Sequence, residues 1–162
     1  MSDDIKKKID VVFIAGGKFH DIDFARLEIL KLLAEDERMK TRVFEDYSNL
    51  HAIENADFLI TYTCDVRPTL EQQKALKKYV ASGKRWLALH GTNSILQFMS
   101  DGKVDSPRIA PIMMETLGSQ FIAHPPIEPY NVKVSQPDHP LVEGVEEFET
   151  TDELYLMELH GD

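Results

Sequence analysis

The run "IDVVFIAGG", Ile9 to Gly17, is apolar from Ile9 to Ile14 apart from Asp10, and it stops at Gly16-Gly17. A half-buried strand alternates between apolar and polar residues. A strand without a polar face has to be covered on both sides, which is the condition of an inner strand in a parallel sheet. Parallel neighbours cannot be joined by a tight turn, so a helical crossover has to follow. The sequence supplies one. Asp23, or Asp21 before it, is placed to cap a helix whose Phe24, Leu27, Leu30 and Leu33 share a face, with Arg26, Glu28, Lys31 and Glu35 opposite.

The same unit recurs. "TRVFEDY" reads as a second strand and "ADFLITYT" as a third, with its apolar centre at Phe58 to Ile60. Thr69 and Gln72 then form a capping box, Leu76, Tyr79 and Val80 make an apolar stripe, and Gly83 fits the C-terminal cap. "RWLALH" is the fourth strand. Strands alternating with amphipathic helices predict an α/β fold with a doubly wound, mostly parallel sheet. The 162 residues fit one domain over 1–162.

Beyond Asp101 the pattern loosens. The segment from Asp101 to Pro129 holds a Met-rich helix, Pro111 to Leu117, ending at Gly118, and has the length of a site-covering excursion. "YNVKVSQ" alternates as a strand, "PDHPLVEGV" reads as a turn and short connection, and "DELYLMEL" as a last strand. A chain that stops soon after a strand begins is expected to be a fragment or a shortened domain.

Charge excludes some functions. A net charge of −10 offers no clustered basic surface for a phosphate backbone, so nucleic acid is not expected as a partner. The N-terminal residues carry charges of both signs, and their apolar run is too short for a secretory or membrane segment, which predicts a cytoplasmic protein without a membrane partner. The single cysteine, Cys64, excludes an internal disulfide and a Cys-rich zinc site. Metal ligands would have to be histidines and carboxylates.

In an open α/β sheet the ligand crevice lies at the carboxyl ends of the strands. Strand one is followed by "AGGKFHD", strand three by "TCD" and strand four by "HGTNS", which brings His20, Asp21, Cys64, Asp65, His90, Asn93 and Ser94 to one edge. "KRWLALHGTNSILQF" has the form of a nucleophile elbow, strand, Gly turn, helix, with His90 where a Ser or Cys would stand. A histidine above a helix N-terminus would be held neutral, able to act as a base, a donor or a metal ligand. Gly16 and Gly17 could cradle an anion or a polarised oxygen, or serve only a tight turn. Cys64 reads as a small buried thiol and His139 as turn chemistry. Met113 and Met114 read as core. His124, before two prolines, sits in a rigid extended segment that could enter the crevice. Asp152 and Glu153 are either a solvated strand entrance or a base and ligand pair.

The ordered set "GGKFHD", "YTCD", "LHG", "GSQFIAHPP", "DHP" and "DELY" resembles the ThuA-like family of trehalose-utilisation proteins across essentially the whole chain. The resemblance implies a flavodoxin-like three-layer α/β/α sandwich, similar to class I glutamine amidotransferases, with an inherited elbow and no cysteine nucleophile. Family domains usually run some tens of residues further and close with another strand. Matching motif positions are Gly16, Gly17, His20, Asp21, Asp65, His90, Gly91, His124, Asp152 and Glu153. The implied ligand is a saccharide, trehalose or a related disaccharide or keto-sugar.

On this reading His90, His20, His124 and Glu153 do the acid–base work. Gly16, Gly17, Asp21, Asp65, Gly91, Asn93 and Asp152 contact substrate, and His20, His90 and His124 would hold a divalent metal such as zinc if one is used. Assembly into a homo-oligomer is left open. The alternatives are a non-catalytic binding or assembly module on the same fold, and a metal-dependent hydrolase of another substrate.

Overall fold

Four parallel strands form the centre of the molecule in the computed structural model, which describes residues 7–161. Residues 1–6, read above for their charge, and Asp162 lie outside the described residues. The strands are β1 (Ile9–Gly17), β2 (Met39–Phe44), β3 (Phe58–Cys64) and β4 (Arg85–Ala88), in the order β2-β1-β3-β4. Their crossovers are α1 (Ile22–Ala34), α2 (Leu50–Asn55) and α3 (Leu70–Ala81).

The continuous apolar run of β1 is explained by its two covered faces. Val12 and Ile14 pack with Ile53 of α2 and Leu76 and Tyr79 of α3, while Val11, Phe13 and Ala15 pack with Ile22, Ile29, Leu30 and Leu33 of α1. All five β1 side chains are fully buried. This is the three-layer, flavodoxin-like sandwich with a parallel sheet. Met113 and Met114, on α4 (Pro111–Leu117), extend the first of these clusters as core residues.

Several local expectations are corrected. The cap of α1 is Asp21, which accepts from Phe24 N at 2.9 Å, not Asp23. The half-buried stripe that α1 turns to the sheet is Ile22, Ile29, Leu30 and Leu33, whereas Phe24 and Leu27 are exposed. The register of that helix is set partly by Arg26, which donates to Ala15 O at 2.9 Å. Helix α2 has an Asn49 cap but is only six residues long, too short for a periodic signal. No helix follows His90. The chain there makes turns, with Thr92 N bonded to Leu89 O and Ser94 N to Gly91 O.

The excursion is more structured than a loop. Its first strand, β6 (Val104–Asp105), pairs antiparallel with β5 (Gln97–Phe98) just before it, and α4 and β7 (Ser119–Ala123) follow. The two late strands do not join the central sheet. β8 (Glu128–Val132) pairs with β9 (Phe148–Asp152) as an exposed antiparallel arm, and β10 (Leu156–Leu159) pairs antiparallel with β7. His139 caps a short 3-10 turn between β8 and β9 by accepting from Leu141 N, the structural role expected of it. No helix among the described residues is long and apolar enough to cross a membrane.

Glycine is required where β1 ends. A Cβ on Gly17, at φ 110°, would lie 1.9 Å from Cys64 O, and one on Gly16 would lie 2.1 Å from Glu45 O. Neither contact can be relieved by a rotamer, because both are to backbone. Gly17→Ala is therefore expected to lower stability by about 3 kcal/mol or more. Urea unfolding checks this: the midpoint should fall with the slope unchanged.

Candidate functional site

The strand order places the ends of β1, β3 and β4 side by side, at the point where α1 leaves to one face and α2 and α3 to the other. The loops after these strands meet as expected. Thr92 Oγ donates to Thr61 O at 3.1 Å, which fixes the turn after β4 against β3. Gly91, at φ 80°, lets that turn press so close that a Cβ would lie 2.7 Å from Thr63 O. His90 is thereby held at the rim, its ring centroid 4.8 Å from that of His20.

The remaining groups arrive from the far end of the chain. Between β9 and β10 the backbone crosses the crevice and delivers Glu153 and Tyr155. Glu153 Oε2 lies 3.4 Å from His90 Nε2, and Glu153 Oε1 lies 3.7 Å from His124 Nε2. One carboxylate thus bridges two imidazoles. The Tyr155 hydroxyl is 3.0 Å from His90 Nε2, and its ring stacks between His90 and Phe121 at 4.5 and 4.4 Å. His124 itself is held by Pro125, whose carbonyl lies 2.8 Å from Nδ1.

Burial tunes this cluster. It lowers the His20 pKa, helped by the neighbouring His90, so that His20 favours the neutral imidazole. The Nε2 of His20 is enclosed and has no hydrogen-bond partner. Burial also raises the Tyr155 phenol, keeping it a protonated donor. The Cys64 thiol is pushed up to about 11 by burial, with Asp65 adding to the effect. Cys64 is the inert buried thiol expected from the sequence.

The cluster opens into a cavity of about 510 Å³ lined by His20, Glu153, Tyr155 and His124, by Phe121 and Ser94, and at its mouth by Phe19, Phe98 and Lys103. This lies within the range of roughly 300–1,000 Å³ typical of small-molecule sites. Behind His90, a second hollow of about 280 Å³ is lined by Asn93, Ser119, Leu117 and Met157. The Asn93 amide donates to Ser119 Oγ at 2.9 Å, tying the β4 turn to β7.

Several residues expected to touch substrate have other positions. Gly16, Gly17 and Asp21 line a separate polar hollow with Arg26 and Glu45, which shares only His20 with the main cavity. Close strand approach accounts for the two glycines, and helix capping for Asp21. Asp152 accepts from Glu153 N at 2.7 Å and lies at the exposed end of β9. Asp65 is the tie between the three loops: its carboxylate accepts from Lys18 Nζ at 2.9 Å, Arg67 Nε at 3.1 Å and Leu96 N at 3.1 Å, while its own N–H donates to Ser94 O. The elbow expectation for His90 also changes, since without a following helix there is no N-terminal dipole beneath it.

Tyr155, Phe19 and Phe98 were not singled out from the sequence. Alternation within "DELYLM" is the signal that finds Tyr155, because Glu153, Tyr155 and Met157 all line the hollow behind His90. Nothing local marks Phe19, which adopts φ 70°, a left-handed conformation that is costly for a bulky side chain.

A family model described as ThuA, trehalose utilisation, matches residues 10–161. Among curated proteins none matches the chain. Two crystal structures of ThuA-like proteins share its fold. The one from Bacteroides uniformis is 18% identical with a TM-score of 0.72, covering 94% of this chain and 62% of its own. The one from Parabacteroides merdae is 16% identical with a TM-score of 0.59, covering 92% of this chain and 63% of its own. This chain therefore spans about six-tenths of the length of each.

The Asp65 tie generates a test. Burial alone would raise its pKa, but the bonds from Lys18, Leu96 N–H and Arg67 outweigh that and hold it below the ordinary value of 3.8. A lowered folded-state pKa adds stability that is complete above the unfolded value and is lost as the pH falls towards the folded one. Asp65→Asn should cost about 1–3 kcal/mol near neutral pH. In thermal melts the gap from wild type should narrow from about pH 4 downwards.

Proposed function

The chain belongs to the ThuA family of trehalose utilisation, and from that premise we propose that it binds a saccharide, trehalose or a related disaccharide or keto-sugar, in the cavity beneath Phe19 and Phe98. The observation that carries this reading is the pairing, on one cavity, of a polar floor with an aromatic rim. The floor is His20, His124, Glu153 and Tyr155, which line that cavity, with His90 just behind them, 3.4 Å from Glu153 Oε2 and 3.0 Å from the Tyr155 hydroxyl. The rim is Phe19 and Phe98, their rings 5.5 Å apart and 58% and 60% exposed. A sugar ring has an apolar C–H face and a belt of hydroxyls, so it is matched by aromatic faces on one side and by donors and acceptors on the other. Exposing two phenylalanines and holding one at positive φ is unfavourable for folding, as is common where a ligand is to be gripped.

The floor supports proton transfer. Glu153 orients both imidazoles, and the His90–Tyr155 pair offers a base and a donor in contact, the arrangement needed to remove a proton from one sugar oxygen while a second oxygen is protonated. Amidotransferase chemistry has no support here, since position 90 carries an imidazole and the Cys64 thiol is buried and protonated at neutral pH.

Titration calorimetry with trehalose and with its 3-keto derivative tests the proposal. Wild-type protein should bind at least one of them. Phe19→Ala and His90→Ala should each weaken binding at least tenfold, about 1.4 kcal/mol or more, with the melting temperature nearly unchanged. No binding of either sugar by the wild type would overturn the reading, and a collapsed His90→Ala variant would make His90 a structural residue.

A further inference from the structure

The geometry points to a transition-metal site formed by His20, His90 and Glu153, between the main cavity, lined by His20 and Glu153, and the hollow lined by His90 and Glu153. Among the described residues these three are grouped so that one donor atom from each lies within 4.8 Å of the others. An ion with tetrahedral bonds of about 2.0–2.2 Å holds its ligands roughly 3.3–3.6 Å apart. His90 Nε2 and Glu153 Oε2 already stand at 3.4 Å. His20 offers a donor nitrogen within 4.8 Å of the other two, so a tetrahedral ion held by all three draws that nitrogen in.

A second, independent observation concerns His20. Its Nε2 is enclosed by protein, has no hydrogen-bond partner, and sits where a Cβ on Gly91 would lie only 3.3 Å from it. A buried polar nitrogen without a partner is costly, and a bound cation removes that cost. Glycine at position 91 leaves the space on that side of the ring open.

The donor set selects the class of ion. Two imidazoles and one carboxylate, with no thiolate or further carboxylate in the group, suit zinc or a neighbouring divalent first-row ion better than calcium or magnesium, which take mostly oxygen. Three protein ligands leave a position for water or a ligand oxygen, the pattern of catalytic rather than structural sites. His124, expected from the sequence as the third imidazole, stays outside the triad, its Nε2 3.7 Å from the other oxygen of Glu153.

This assignment does not rest on the saccharide reading, and its test uses no sugar. Protein stripped with a chelator and titrated with zinc chloride should bind one equivalent per chain. His20→Ala and Glu153→Gln should each weaken that binding at least about 100-fold, while His51→Ala, on the exposed face of α2, should leave it unchanged. Cobalt(II) titration of the wild type needs no variant. It should give the intense visible bands of a four- or five-coordinate ion without a thiolate charge-transfer band. Absence of zinc binding, zinc affinity equal in wild type and both ligand variants, weak octahedral cobalt bands or a thiolate band pointing to Cys64 would each overturn the site. A chain that binds sugar but no metal loses only this inference, and one that binds metal but no sugar loses only the saccharide reading.

Discussion

Burial of β1 on both faces is the constraint from which the rest of the molecule follows. Five consecutive side chains, Val11 to Ala15, are inaccessible to solvent, so helices have to lie above and below them, and the neighbours on both edges have to run parallel. Parallel strands joined by crossovers deliver all their carboxyl ends to one rim. Once the order β2-β1-β3-β4 is set, the loops carrying His20, Asp65 and His90 can only be neighbours.

Proximity at the rim does not by itself produce a site, because loops of this kind have few apolar contacts to hold them. Here a small number of backbone-directed interactions does so. Asp65 takes three donors from three different segments, and Thr61 and Thr92 bond across the gap from β3 to the β4 turn. Glycine at 91 allows an approach no other residue permits. These are interactions of ordinary strength, about 1–3 kcal/mol for each charged hydrogen bond, but they act on the few atoms whose positions decide where His90 points.

The second half of the chain works by a different principle. It adds no strand to the central sheet. It runs out into the β8–β9 arm and returns along β7, and in crossing between the two it lays Glu153 and Tyr155 over the histidines. The result is a cluster with one carboxylate serving two imidazoles, a phenol kept protonated by burial, and a neutral His20 whose nitrogen faces inward. Proton handling and cation binding compete for the same feature of that cluster, imidazole nitrogens held close to a single negative charge in a partly enclosed space.

Period and punctuation alone were enough to read the four central strands, the capping box of α3 and the Met-rich α4 from the sequence, because each is a local pattern that burial enforces. The gathering of His20, Asp65 and His90 was also legible, since it follows from strand order. Three things were not. The missing helix after His90 could not be foreseen, because "TNS" caps a helix and closes a turn equally well, and the contact of Thr92 with Thr61 decided between them. The close approach of Gly16 and Gly17 to backbone of Glu45 and Cys64, and the bonds of Asp65 to Lys18 and Leu96, join parts of the chain far apart in sequence. The bridging of His90 and His124 by Glu153 joins residues more than sixty and nearly thirty positions apart, a distance no local pattern spans. The sequence by itself determined a doubly covered parallel sheet and the edge at which chemistry would sit. Which side chains face one another at that edge was decided by the antiparallel return of β10 along β7, a tertiary pairing whose register sets which face of "DELYLM" looks inward.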